Sequence, residues 1–246
     1  MILCFACPTR GQVACQARRR TARRSRVTSE PSDPLPPEAE LALAWCRPEV
    51  REPLATALQL DRRLARIVAR TTEPILGQMR LAWWRDALGK PVDERPRGDA
   101  VLDAIGRHWR GREAFLVAMV DGWEVLVTAR SLGPAEAAAF GEGRGAFFAG
   151  LGDDPADRVQ AARLAAAGRC WALADAAAGV SDPSERALLV EAGRGTPVPP
   201  GRVPRAARGL AVLEALARRA LAHGGCGLME GRGASLTALR AAIFRP

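Results

Sequence analysis

Apolar residues recur along this chain at helical spacing, and no stretch alternates as a strand would. Within residues 50–70, Leu54, Leu58, Asp61, Ala65 and Val68 are separated by 4, 3, 4 and 3 positions, which draws one buried stripe down a helix. Asp61 sits in the middle of that stripe. Its neighbours Arg62 and Arg63 point to other faces, so its counter-charge has to come from another element. Residues 73–88 are apolar round most of a helical circumference. Ile75, Leu76, Met79, Ala82, Trp83 and Ala87 cover one side, and Gly77, Leu81, Trp84 and Leu88 the other. That pattern predicts a buried central helix closing at Gly89, before Pro91. Glu73, Arg80 and Asp86 interrupt the apolar arc. A buried ion is tolerated only when paired or facing a wet cavity, so the interior beside this helix is expected to be partly polar.

The remaining elements follow from caps and breakers. A short helix is expected over residues 36–46, ending before Pro48. Another occupies 99–110, with Asp99 as its N-cap after Gly98. Asp99 and Asp103 have the i, i+4 spacing used by metal-diphosphate sites, but the cap and the helix dipole account for both. Residues 113–131 are strongly apolar, and their acids Glu113, Asp121 and Glu124 share a narrow face with Thr128, either solvent or the wall of a cavity. Gly133-Pro134 starts a helix that runs through Phe140, Phe147 and Phe148 to Leu151. Asp154-Pro155 starts one over 156–178, and Asp182-Pro183 a short one to Ala192. Residues 193–204, with four prolines and three glycines, form a loop. Residues 205–222 are helical and stop at Gly224-Gly225, and Ser235 caps a last helix to Phe244. The fold class is all-α, with no internal repeat.

Composition changes this picture at the N-terminus. A chain of 246 residues suits one sizeable domain, and no apolar run approaches the ~18 residues needed to cross a bilayer. Of 36 basic residues only Lys90 is lysine; with abundant Ala and Gly and no Tyr, this reflects high-GC coding. The net charge is +9, yet seven arginines fall in the first 26 residues and no acid precedes Glu30. Setting those seven aside leaves +2, which gives the folded part no basic face for nucleic acid. Residues 1–37, Arg-rich and then Ser/Pro-rich, are expected to be disordered, and a single domain spans 38–246. The tail has its apolar stretch before its positive charges, the reverse of a secretory signal. It fits a mitochondrial transit peptide or a reading frame extended upstream of a start near Val27, and the bacterial look of the remaining composition favours the second. Cys4 and Cys7 have metal-ligand spacing but lack a second pair or a nearby histidine. The six dispersed cysteines therefore read as reduced thiols, with no metal site.

Residues 73–88, Glu-Pro-Ile-Leu-Gly-Gln-Met-Arg-Leu-Ala-Trp-Trp-Arg-Asp-Ala-Leu, together with the preceding Leu60-Asp-Arg-Arg-Leu-Ala-Arg-Ile67, resemble the signature of a divergent branch of the squalene/phytoene synthase family. That branch includes bacterial proteins of unsettled activity and a mitochondrial respiratory complex I assembly factor. Weaker similarity, including Gly168-Arg-Cys-Trp-Ala-Leu-Ala-Asp175, extends over residues 40–245. The resemblance implies an all-α isoprenoid-synthase-type helical bundle. It also implies a cavity in which a prenyl diphosphate is ionised while Mg²⁺ holds the leaving group, with two Asp-x-x-x-Asp motifs facing each other.

The chain departs from that pattern at both motifs. After Asp61 it reads Leu64-Ala-Arg-Ile-Val-Ala-Arg70, with arginines where carboxylates are needed. In the second region Asp175 is alone on its face, and Asp182 is a helix cap. The residues expected to line the cavity are Asp61, Arg80, Trp83, Trp84, Asp86, Trp171 and Asp175, with tryptophan and arginine suited to a lipid tail and its anionic head. Alternatively they are structural, tryptophans filling volume and charges closing internal pairs. Helical rise brings Asp61 and Arg80 within reach across the turn near residues 71–74, so they are expected to pair, with Glu73 or Asp86 as other partners for Arg80. Two functions follow. The missing motifs favour a catalytically degenerate binding or respiratory-complex assembly factor with no catalytic residue, metal or cofactor. It would take an isoprenoid or lipid ligand or a membrane-associated protein partner, in the cytoplasm or peripheral to the inner membrane. The fold alone supports an active, Mg²⁺-dependent prenyl transferase.

Overall fold

A computed structural model describes residues 34–154 and 156–244. Among them are ten α-helices and no strand. They run α1 (Pro37–Ala44), α2 (Pro48–Arg70), α3 (Pro74–Gly89), α4 (Ala100–His108), α5 (Glu113–Thr128), α6 (Pro134–Gly145), α7 (Arg158–Gly179), α8 (Pro183–Arg194), α9 (Arg208–Ala222) and α10 (Ala234–Phe244). The expectation of a disordered tail falls mostly on residues outside the described ones. Within them, Leu35 already packs against the core ahead of α1.

Local chemistry sets most of these boundaries. Proline occupies the first turn of α1, α2, α3, α6 and α8, where its missing N–H costs no helical bond. Asp99 accepts from the Val101 and Leu102 amides, and Asp182 from Ser184 and Glu185, as the sequence predicts. For α7 the cap is Asp157, which accepts from the Gln160 amide, while Asp154 closes a turn onto Ala156. The helix expected over 134–151 breaks at Gly145 and continues as a 3₁₀ segment, Ala146–Leu151. The last helix begins at Ala234, so Ser235 lies inside its first turn.

The central helix is α7. It packs on α6, α8, α9 and the 3₁₀ segment, and buries Leu164, Trp171, Leu173 and the small residues between them. α5 lies beyond α6, and α3 lies outside α5. This corrects the expectation that residues 73–88 form the buried centre. α3 turns Gly77, Leu81, Trp84, Ala87 and Leu88 inward and leaves Ile75, Leu76, Met79 and Trp83 exposed. Apolar character all round the helix did not reveal its orientation. The buried set, at i, i+4, i+7, i+10 and i+11, is the stripe that contains Gly77, which is pressed against Val127 and Thr71. The acidic face of α5 is partly solvent and partly the wall of an open surface hollow, which Glu113 and Asp121 line. Its acids are also paired, Asp121 and Glu124 with Arg85 of α3 and Glu113 with Arg95 at 2.8 Å.

Glycines let α5, α6 and α7 approach at backbone distance. A Cβ on Gly122 would stand 2.5 Å from the Arg144 amide nitrogen, and one on Gly143 2.7 Å from the Ala118 carbonyl. At the next crossing, a Cβ on Gly145 would overlap the Gly168 backbone, and one on Gly168 the Gly145 carbonyl. Backbone cannot yield as a flexible side chain can, so these contacts require glycine. Gly145→Ala and Gly168→Ala are each expected to cost about 1–3 kcal/mol or more in urea unfolding. Gly89→Ala, with nothing within 4 Å of the added methyl, should be neutral or mildly stabilising.

Candidate functional site

The stripe of α2 carries Asp61 inward until its side chain is only 3 % exposed, and the cation that meets it is Arg144 of α6, at 4 %. Arg144 Nε donates to Asp61 Oδ1 and Nη2 to Oδ2, both at 2.8 Å, forming a two-pronged pair. Nη2 also donates to Asp175 Oδ2 of α7 at 2.5 Å, and Nη1 to the Ala172 carbonyl at 3.0 Å. The Trp123 indole N–H of α5 completes the Asp61 shell, 2.8 Å from Oδ1. Four helices thus meet on one guanidinium.

Aromatic faces enclose the same cation. The guanidinium carbon lies 4.6 Å from the Trp171 ring centroid, 4.8 Å from Trp123 and 5.7 Å from Phe140. Trp171 is held in turn by stacking on Phe148 and an edge contact with Phe147. Burial by itself favours a neutral guanidinium, but Asp61 and Asp175 outweigh it and raise the Arg144 pKa above its ordinary value. The arrangement satisfies the condition for a buried ion pair, since every guanidinium nitrogen has an acceptor.

α1 closes the site from the N-terminal side. Leu35, Pro36, Glu38 and Ala39, with Leu58, Arg62, Trp171 and the three charged groups, leave a cavity of about 20 Å³. That is room for about one water. Burial, reinforced by repulsion from Asp175, pushes the Glu38 carboxyl above its usual range. Larger hollows of about 780, 720 and 440 Å³ open on the surface elsewhere and share no lining residue with this one.

Of the residues that the sequence assigns to the cavity, Asp61, Trp171 and Asp175 converge and the others do not. Trp84 is buried in the core, with Trp83 edge-on against it, centroids 5.2 Å apart. Trp83 itself is exposed, as are Arg80 and Asp86. The expected Asp61–Arg80 pair is replaced by Asp61–Arg144, and Arg80 reaches only Thr71 Oγ1, at 3.5 Å. The inference that Asp61 needs a partner from another helix holds; the partner is on α6, three helices further along than the expected α3. Arg144 escaped notice because the sequence around it, Gly141-Glu-Gly-Arg-Gly145, looks like weak helix. The available signal was the glycines themselves: three alternating with charges inside a helix call for a close-packing reason. A second buried acid was also missed, Glu214 of α9, which binds Arg163 of α7 at 2.5 Å and Arg218 at 2.9 Å. The thiols of Cys46 and Cys170 are buried and pushed up to about 11, which keeps them protonated and inert at neutral pH.

Chemically, the site holds charge rather than offering it. Both oxygens of Asp61 are occupied, and Asp175, a third exposed, gives Oδ2 to Arg144. A magnesium ion, which demands near-octahedral oxygen ligation and keeps several waters, does not fit carboxylates already bound to a guanidinium in a space of this size. Compared with protein-family models, with curated proteins and with solved structures, the chain gives no match.

Removing one member of the pair leaves a buried, uncompensated charge. Asp61→Ala and Arg144→Ala are each expected to cost about 3–5 kcal/mol in urea unfolding, and the double variant clearly less than their sum. Additive losses would show that the two charges are satisfied independently.

Proposed function

We propose that the chain is a catalytically degenerate protein of squalene/phytoene synthase type, an isoprenoid-synthase-like bundle that works by binding or assembly. Respiratory-complex biogenesis is the setting the resemblance implies. The observation that carries this reading is the position of Arg144. In a prenyl-diphosphate enzyme, carboxylates from two facing helices hold divalent cations against the leaving diphosphate. Here the facing acids are Asp61 of α2 and Asp175 of α7, and a guanidinium supplied by the chain itself lies between them. Such a cation neutralises the pair but offers no open position for phosphate oxygens.

The small size of the cavity bears on what is bound. With room for about one water, an isoprenoid chain would have to displace α1 to reach Trp171. A partner engaged through the outer surface needs no such rearrangement, and this favours a protein or membrane-associated partner over an isoprenoid held inside. A place in the cytoplasm, peripheral to the inner membrane, belongs to the same reading. Among the described residues no helix is long and apolar enough to cross a membrane.

The competing reading is an active, Mg²⁺-dependent prenyl transferase. Incubation with Mg²⁺ and farnesyl or geranylgeranyl diphosphate distinguishes the two. The degenerate protein releases no pyrophosphate above a control without protein, and neither diphosphate raises its melting temperature. Pyrophosphate release that Asp175→Asn abolishes would overturn the proposal in favour of the transferase.

A further inference from the structure

The outer face of α3 has no use in the folded bundle. Ile75 is 68 % exposed, Met79 64 %, Leu76 44 % and Trp83 43 %. These four form one ridge, because positions 75, 76, 79 and 83 fall on the side opposite Gly77, Leu81, Trp84 and Leu88, which face α5. Solvating large apolar side chains at such exposure forgoes the stabilisation that burial elsewhere would give. A contiguous apolar patch of this kind marks an interaction surface.

Its N-terminal end is basic. Gly77 lies against Val127, and Arg85 reaches Asp121, so α3 and α5 run antiparallel and the end of α5 stands beside the start of α3. That end of the bundle therefore gathers Arg70 from the end of α2 and Arg130 from just beyond α5, with Arg80 on the flank of the ridge beside Leu76; all three are exposed. Glu73 is the acid on the connecting turn, and Asp86, a turn beyond Trp83 on the same face as Ile75 and Met79, bounds the ridge at its far end. Arg80 makes only a long contact to Thr71 Oγ1. The flanking arginines have stems long enough to lie along apolar material while their heads stay in water, and the indole of Trp83 suits the boundary between the two.

We infer that this face docks onto an anionic lipid surface, with the Ile75–Met79 ridge in the acyl boundary and Arg70, Arg80 and Arg130 at the headgroups. A single convex helix ridge suits a deformable bilayer better than the complementary groove that a folded partner would have to supply, and the arginines complement lipid phosphates. The inference does not rest on the degenerate-synthase reading, since vesicle binding and pyrophosphate release fail independently of each other.

Flotation of the full-length protein with vesicles tests it, comparing phosphatidylcholine alone with phosphatidylcholine carrying about one third phosphatidylglycerol. The arginine-rich N-terminal segment is present in every variant, so differences among variants report α3. Binding to the anionic vesicles is expected. Ile75→Asp/Met79→Asp should weaken it at least about tenfold, and Arg70→Gln/Arg80→Gln/Arg130→Gln by on the order of a hundredfold. Leu236→Asp/Leu239→Asp, on the exposed face of α10, should bind as the parent does. Unchanged melting temperatures establish that the variants fold. Failure of the parent to bind, or binding indifferent to the α3 substitutions, overturns the proposal. So does a dimer in solution that Ile75→Asp/Met79→Asp dissociates, which would assign the ridge to a second copy of the chain.

Discussion

A carboxylate taken out of water must be given back the hydrogen bonds it loses, and in this bundle one arginine does so for two helices at once. Asp61 lies on an otherwise apolar stripe, where an unpaired charge would be expelled or neutralised. Arg144 meets both of its oxygens, spans to Asp175 and Ala172 on α7, and is roofed by Trp123, Trp171 and Phe140. The network is no guarantee of stability, because apolar residues of similar volume often do as well. What it imposes is geometry: α2, α5, α6 and α7 can satisfy these groups only in one relative arrangement.

The glycines and the arginine belong to one design. Gly143 and Gly145 flank Arg144 and bring the α6 backbone against α5 on one side and α7 on the other. A larger residue at either place would hold the helices apart and lengthen every bond in the cluster. The helix break after Gly145 then turns Phe147 and Phe148 onto Trp171, which fixes the ring beneath the guanidinium. Close packing, charge satisfaction and aromatic enclosure therefore depend on one another. The same closure that satisfies the ions reduces the interior space to about 20 Å³, and it moves the case for function from the interior to the surface.

Helix existence was readable from the sequence because caps and periodicity are local. Asp99 and Asp182 cap as expected, and Leu54, Leu58 and Asp61 lie buried on one stripe of α2. Orientation was not readable where the local signal is degenerate. Residues 73–88 are apolar round most of the circumference, so hydrophobicity could not choose the buried face, which is the one that sets Gly77 against Val127 and Thr71. The need of Asp61 for a partner was local and legible. The identity of that partner was not, because Arg144 is 83 residues away and lies in a glycine-rich segment with low helix propensity. Consecutive helices were expected to supply the pair. The chain instead used α6, which α5 and α7 draw in through glycine contacts that no periodicity announces.

Hydrogen exchange at the side chains reads the central interaction directly. In a ¹⁵N spectrum the Trp123 indole N–H and the Arg144 Nε–H both point at Asp61 Oδ1. If the cluster is the closed unit described here, both signals persist in D₂O as long as the slowest backbone amides, because only global unfolding opens them. Exchange at the rate of an exposed arginine would contradict the account, and would mean that Asp61 and Arg144 face open water.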